Sequence, residues 1–110
     1  MELIQIVEEK LKGHDDRITH VYGVLSRALE LQALYGGNIE VIKTSALLHD
    51  LFKYDSMDAQ LAVIQDKSLV KQYRHATVMY HALAAAYYVR DHLNIKDDLV
   101  FEAISNHVWG

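Results

Sequence analysis

Apolar residues recur at helical spacing from one end of this chain to the other, and that periodicity limits what it can fold into. Leu3, Ile6, Val7 and Leu11 share one helix face near the start, and Val100, Ala103, Ile104 and His107 repeat the pattern near the end. Proline is absent, and the alternation expected of a strand is found nowhere. The reading is all-α.

Breaks in the pattern place the elements. A first helix covers residues 2–12 and stops at Gly13. Asp15 or Asp16 is the expected cap of a second helix, which runs to about Tyr35 and ends at Gly36-Gly37. Its stripe holds Val21, Val24, Leu25, Ala28 and Leu31, with Arg17 and His20 at its edge. Asn38 caps a third helix carrying Ile39, Ile42, Ala46 and His49, with Lys53 one turn further on the same side. Residues 54–76 are less regular: Ser56 can cap a short helix bearing Leu61, Ala62 and Ile64, and Lys67 to Arg74 can form another. A long helix from Val78 to about Leu93, capped by Thr77, is rich in alanine. Asn94 stops it, and Asp97 or Asp98 starts the last helix. No repeat or linker divides the chain, so a single domain over residues 1–110 is expected.

Within this apolar frame, Leu47-Leu48-His49-Asp50-Leu51-Phe52 is out of character. An imidazole beside a carboxylate is costly to bury unless both are paired or bound to a cation, and a divalent metal satisfies both. A lone histidine on an apolar face is ordinarily a hydrogen-bonded core residue. Here, however, His20, His81 and His107 also fall on apolar faces, each on a different helix, and together with His49 and Asp50 they favour a shared metal site. With no cysteine, thiolate ligands are excluded, which leaves histidine and carboxylate to hold the metal. His14 and His92 read as surface residues; His75 is open.

The rest of the composition removes alternatives. A net charge of −4 and no basic stripe argue against nucleic acid as a partner. The N-terminus is acidic and amphipathic, unlike a signal peptide, and no apolar run approaches the roughly 18 residues of a membrane span. A cytoplasmic protein without a membrane partner is expected.

The quoted residues resemble the HD-domain metal-dependent phosphohydrolases, and more closely their YqeK branch. The likeness lies in Arg17-x-x-His20-x-x-Gly23-Val24, in Tyr35-Gly36, in Leu47-Leu48-His49-Asp50-x-x-Lys53, in His81-x-x-x-Ala85, and in Ala103-Ile104-x-x-His107-x-x-Gly110, and it spans roughly residues 14–110. It implies a compact HD helical bundle of about five to seven helices. It also implies symmetrical hydrolysis of diadenosine tetraphosphate to two ADP by a metal-bound water or hydroxide. The cofactor implied is a pair of divalent ions, commonly iron, with manganese, cobalt, nickel or zinc as alternatives. Carried over, His20, His49 and Asp50 hold one ion; Asp50, bridging, with His81 and His107 holds the other.

The chain departs from the family at Ala82, where glycine is usual, and at Val108-Trp109, where threonines are usual. The resemblance further implies that the chain is C-terminally short, lacking a helix that bears another ligand aspartate.

Phosphoryl transfer also needs cations facing the phosphate oxygens. Lys53 is the first candidate, and Arg17 the second, although Arg17 can equally pair with Asp15 or Asp16. Tyr54, Tyr73 or Arg74 are placed to hold a base or phosphate, since their segment leaves directly from the HD motif. Three rival readings remain: an HD-type phosphohydrolase with another nucleotide substrate, a non-catalytic nucleotide-binding module with an incomplete metal site, and a regulatory helical homodimer joined through exposed apolar faces.

Overall fold

The computed structural model describes residues 2–106, and among them all regular structure is helical. The elements are α1 (Leu3–Lys10), α2 (Asp15–Tyr35), α3 (Ile39–Leu48), α4 (Met57–Val63), α5 (Lys67–Gln72), α6 (Met79–Asp91) and α7 (Asp98–Ser105). The all-α expectation and the count of helices hold.

Helix α6 is the interior of the bundle. Every residue from Met79 to Tyr87 is buried, and Ala82, Ala84, Ala85 and Ala86 have no exposed surface. Their short side chains let α4 and α7 pack against it. Around it, Val7, Leu11, Val21, Leu47, Leu48, Leu51, Ile64 and Ile104 close the core. Each such aliphatic side chain contributes about 1.5–3 kcal/mol of burial free energy. Aromatic contacts finish the packing: Phe52 meets Tyr88 edge-on at 5.3 Å, and Tyr87 meets Phe101 at 5.1 Å.

Several helix boundaries follow the expected chemistry. Asn38 accepts hydrogen bonds from the backbone of Glu40 and Val41, Ser56 from Ala59, and Asp97 from Leu99. Gly36 (φ 81°) and Asn94 (φ 58°) take the left-handed conformation that ends α2 and follows α6.

Other boundaries correct the expectation. His14, not Asp15 or Asp16, is the N-cap of α2; the two aspartates lie in its first turn, where they suit the positive end of the helix dipole. Val78, not Thr77, precedes α6, and no side chain caps it. Helix α4 ends at Val63, so the buried Ile64 lies just beyond it.

The most consequential correction is that α3 ends at Leu48. His49 is its C-cap, and Asp50 to Lys53 form a turn rather than another turn of helix. His49 Nδ1 lies 2.7 Å from the Ala46 carbonyl, the acceptor that a continuing helix would offer to the Asp50 N–H. The turn is fastened from outside as well. The buried Gln60 side chain donates to the Phe52 and Asp55 carbonyls, both at 3.1 Å. Lys10 pairs with Asp55 at 2.8 Å and sits 4.0 Å from the centre of the Phe52 ring.

Candidate metal centre

A cavity of about 680 Å³ opens between α2, α3, the turn after α3, and α6. His20, His49, His81, Arg17 and Lys53 all line it, with Ile42, Val78 and Ala103 among its apolar walls. Residues separated along the sequence thus converge on one space.

His20 and His49 from its lining and Asp50 beside them each offer a ligand atom, and these atoms lie within 4.8 Å of one another. The body of α2 presents His20, the end of α3 presents His49, and the turn presents Asp50. Asp50 is fully buried, while His20 is exposed and lines the cavity. Of the histidines expected on apolar faces, His20 is therefore exposed and lines the cavity rather than being buried in the interior.

The donor set suits a divalent transition metal. A carbonyl can only accept, so the contact with Ala46 holds the His49 proton on Nδ1 and turns Nε2 toward the ligand cluster, 3.4 Å from Asp50 Oδ2. Metal-binding histidines are commonly held in this way by a backbone carbonyl. His81 is arranged similarly, with its ring hydrogen-bonded to the Val78 carbonyl. Burial first, then the charges of Lys53 and Arg17, push the His81 pKa below its ordinary value against the opposing pull of Val78 and Asp50. A neutral imidazole is the form that ligates a metal.

Arg17 supplies a feature that the sequence did not show. Its Nε and Nη2 both lie 2.6 Å from Asp50 Oδ2, so its partner is this buried carboxylate and not the neighbouring Asp15 or Asp16. Lys53 is exposed on the cavity wall. His107 lies outside the described residues. Tyr73 and Arg74 are not in the cavity lining, and Arg74 donates instead to the Lys71 carbonyl at 3.0 Å. Tyr54 lies in a second, smaller cavity that shares Arg17 with the first. Of the remaining histidines, His14, His75 and His92 are exposed, as expected for the first and last.

The family described as HD domain matches residues 17–108, which include the whole candidate centre. Two curated relatives are both named symmetrical bis(5'-nucleosyl)-tetraphosphatase. The one from Halalkalibacterium halodurans is 31% identical over 108 residues, covering 97% of this chain and 57% of the relative. The one from Bacillus subtilis is 26% identical over 110 residues, covering 99% of this chain and 58% of the relative. The chain thus spans a little under three fifths of the length of these relatives. No solved structure matches. No helix among the described residues is long and apolar enough to cross a membrane.

Proposed function

The chain belongs to the HD domain family, and from that premise we propose a metal-dependent phosphohydrolase that cleaves diadenosine tetraphosphate symmetrically. Water is added across the central phosphoanhydride, and two ADP leave. The observation that carries this reading is the cluster of two imidazoles and one buried carboxylate within 4.8 Å, whose imidazoles line a cavity together with Arg17 and Lys53. The names of the two relatives support the substrate.

His20, His49 and Asp50 would hold one divalent cation. Asp50 with His81, and with His107 beyond the described residues, would hold a second; iron is the first choice, with manganese, cobalt, nickel or zinc as alternatives. Bound there, the metal supplies Lewis acidity, which brings the pKa of water toward neutrality and offsets phosphate charge. The chain's own groups do the rest. The Ala46 carbonyl fixes the His49 tautomer. Lys53 and Arg17 place positive charge along the cavity wall, where charge grows on phosphate oxygens during transfer. Ile42, Val78 and Ala103 give the cavity an apolar wall beside these groups.

The test is elemental analysis of gently purified protein and of the Asp50→Ala variant, followed by product analysis. The expected result is about one to two transition-metal ions per chain, lost in the variant, and ADP as the sole nucleotide product. AMP plus ATP, or free phosphate, would assign a different phosphohydrolase. Absence of metal from both proteins after reconstitution with iron or manganese would overturn the reading.

A further inference from the structure

The second cavity, of about 360 Å³, is formed where the loop before α2 meets the turn after α3. It is lined by His14, Asp15, Asp16, Arg17 and Tyr54. His14 and Tyr54 lie face to face, with ring centroids 3.7 Å apart and planes 5° from parallel. Neither is a core residue: His14 is exposed and Tyr54 is 49% exposed.

Both backbones are held. The His14 N–H donates to the Leu11 carbonyl at 2.9 Å, and the His14 carbonyl accepts from Arg17 and Ile18. Gly13, at φ 89°, makes the sharp entry that no side chain obstructs. On the other side, Lys53 N–H donates to the Asp50 carbonyl, and Gln60 and Lys10 fasten the turn on either side of Tyr54. The result is a preorganised aromatic surface beside the candidate metal centre. Tyr54 directly follows Lys53, and Arg17 lines both cavities.

We infer that the paired His14 and Tyr54 rings are the base-stacking platform for one nucleoside of the substrate, whose phosphates pass Arg17 into the metal centre. Stacking needs only a π-face, and a ring pair already locked parallel loses little freedom when a purine is added to it. The charges give the direction. Asp15 and Asp16 repel phosphate, whereas their carboxylates can accept from the exocyclic amino group of a base. Arg17 and Lys53 attract phosphate. A nucleotide therefore lies with its base on the acidic, aromatic side and its phosphates on the cationic side. This assignment rests on the phosphohydrolase reading and adds to it the group that recognises the nucleoside.

The test is calorimetric binding of ADP and of inorganic pyrophosphate to the manganese-loaded protein at matched free manganese, comparing wild type with Tyr54→Leu, Tyr54→Phe and His14→Ala. ADP should bind about tenfold more weakly to Tyr54→Leu and measurably more weakly to His14→Ala, consistent with the worth of one stacked base. Pyrophosphate affinity should stay within about twofold in every variant, since it has no base to stack. Tyr54→Phe keeps the ring and should keep ADP affinity. Unchanged ADP affinity in Tyr54→Leu would overturn the platform while leaving the phosphohydrolase reading intact. Parallel losses for ADP and pyrophosphate would overturn it too, because the rings would then be supporting the turn rather than a base. Failure of the wild type to bind either ligand would overturn both readings.

Discussion

Arg17 sets Nε and Nη2 each 2.6 Å from a single oxygen, Oδ2, of the fully buried Asp50. The guanidinium thus supplies positive charge to a carboxylate that the bundle has taken out of water. Removing one partner of a fully buried pair costs about 3–5 kcal/mol. The Arg17 side chain is 26% exposed, so screening brings the expected loss for Arg17→Met to about 2–3 kcal/mol. Urea denaturation of the chelator-treated protein measures it. Added manganese should narrow the difference, because a cation on Asp50 supplies the charge that the variant lacks. A variant as stable as wild type under chelation would mean that the pair contributes nothing.

On the proposed assignment, metal binding to the His20, His49 and Asp50 cluster would be linked to folding. Manganese at about a hundred times its dissociation constant should add about 2.7 kcal/mol. For a domain of this size that raises the melting temperature by roughly 10–20 °C. Scanning calorimetry with and without chelator reads the shift, and Asp50→Ala should abolish it. An equal shift in Asp50→Ala would place the ion elsewhere.

Acid should destabilise the metal-free protein through His81. Burial holds its folded-state pKa below the ordinary value of 6.5. Below about pH 6.5 the unfolded chain therefore takes up a proton that the native ring resists. The contribution to stability is complete above that pH and is lost as pH falls toward the folded-state pKa. Urea midpoints at about pH 7.5 and about pH 5.5, under chelation, test this. The slope should flatten in His81→Gln, and an unaltered slope would assign the acid sensitivity to other groups.

Gln60 has no contact with the cavity, yet its amide ties the Phe52 and Asp55 carbonyls on the turn that carries Asp50 and Lys53. Gln60→Leu keeps most of the volume and removes both bonds, so it should cost about 1–3 kcal/mol. It should also weaken metal binding, by about tenfold, as loss of an outer support typically does. Titration with manganese separates the two effects. Unchanged metal affinity would show that the turn holds its shape without this support.

The sequence revealed those features whose causes are local. Asn38, Ser56 and Asp97 cap helices because their short side chains reach their own backbone, and Gly36 and Asn94 take a conformation that most residues avoid. The convergence of His20, His49 and Asp50 was legible because each departs from the apolar pattern of its surroundings. The end of α3 was not, because a histidine ring competes there for a helix carbonyl and no spacing rule records that. Arg17 has nearer carboxylates in sequence, but its partner is 33 residues away and is set by how α2 lies on the turn. His14 is the surface histidine that the sequence indicates, but its stacking partner was not legible, because Tyr54 reaches it only through tertiary structure.

The uninterrupted burial of α6 from Met79 to Tyr87 has a consequence for descent. Helix α5 has no buried residue, and Val21 is the only one on α2, so most of their positions can exchange side chains at little cost. From Met79 to Tyr87 there is no such freedom: a bulkier group at Ala84, Ala85 or Ala86 has to enter a neighbouring helix. Lineages of this protein should therefore diverge fastest on the outer helices while α6 keeps to a narrow alphabet, changing only when a facing side chain changes with it.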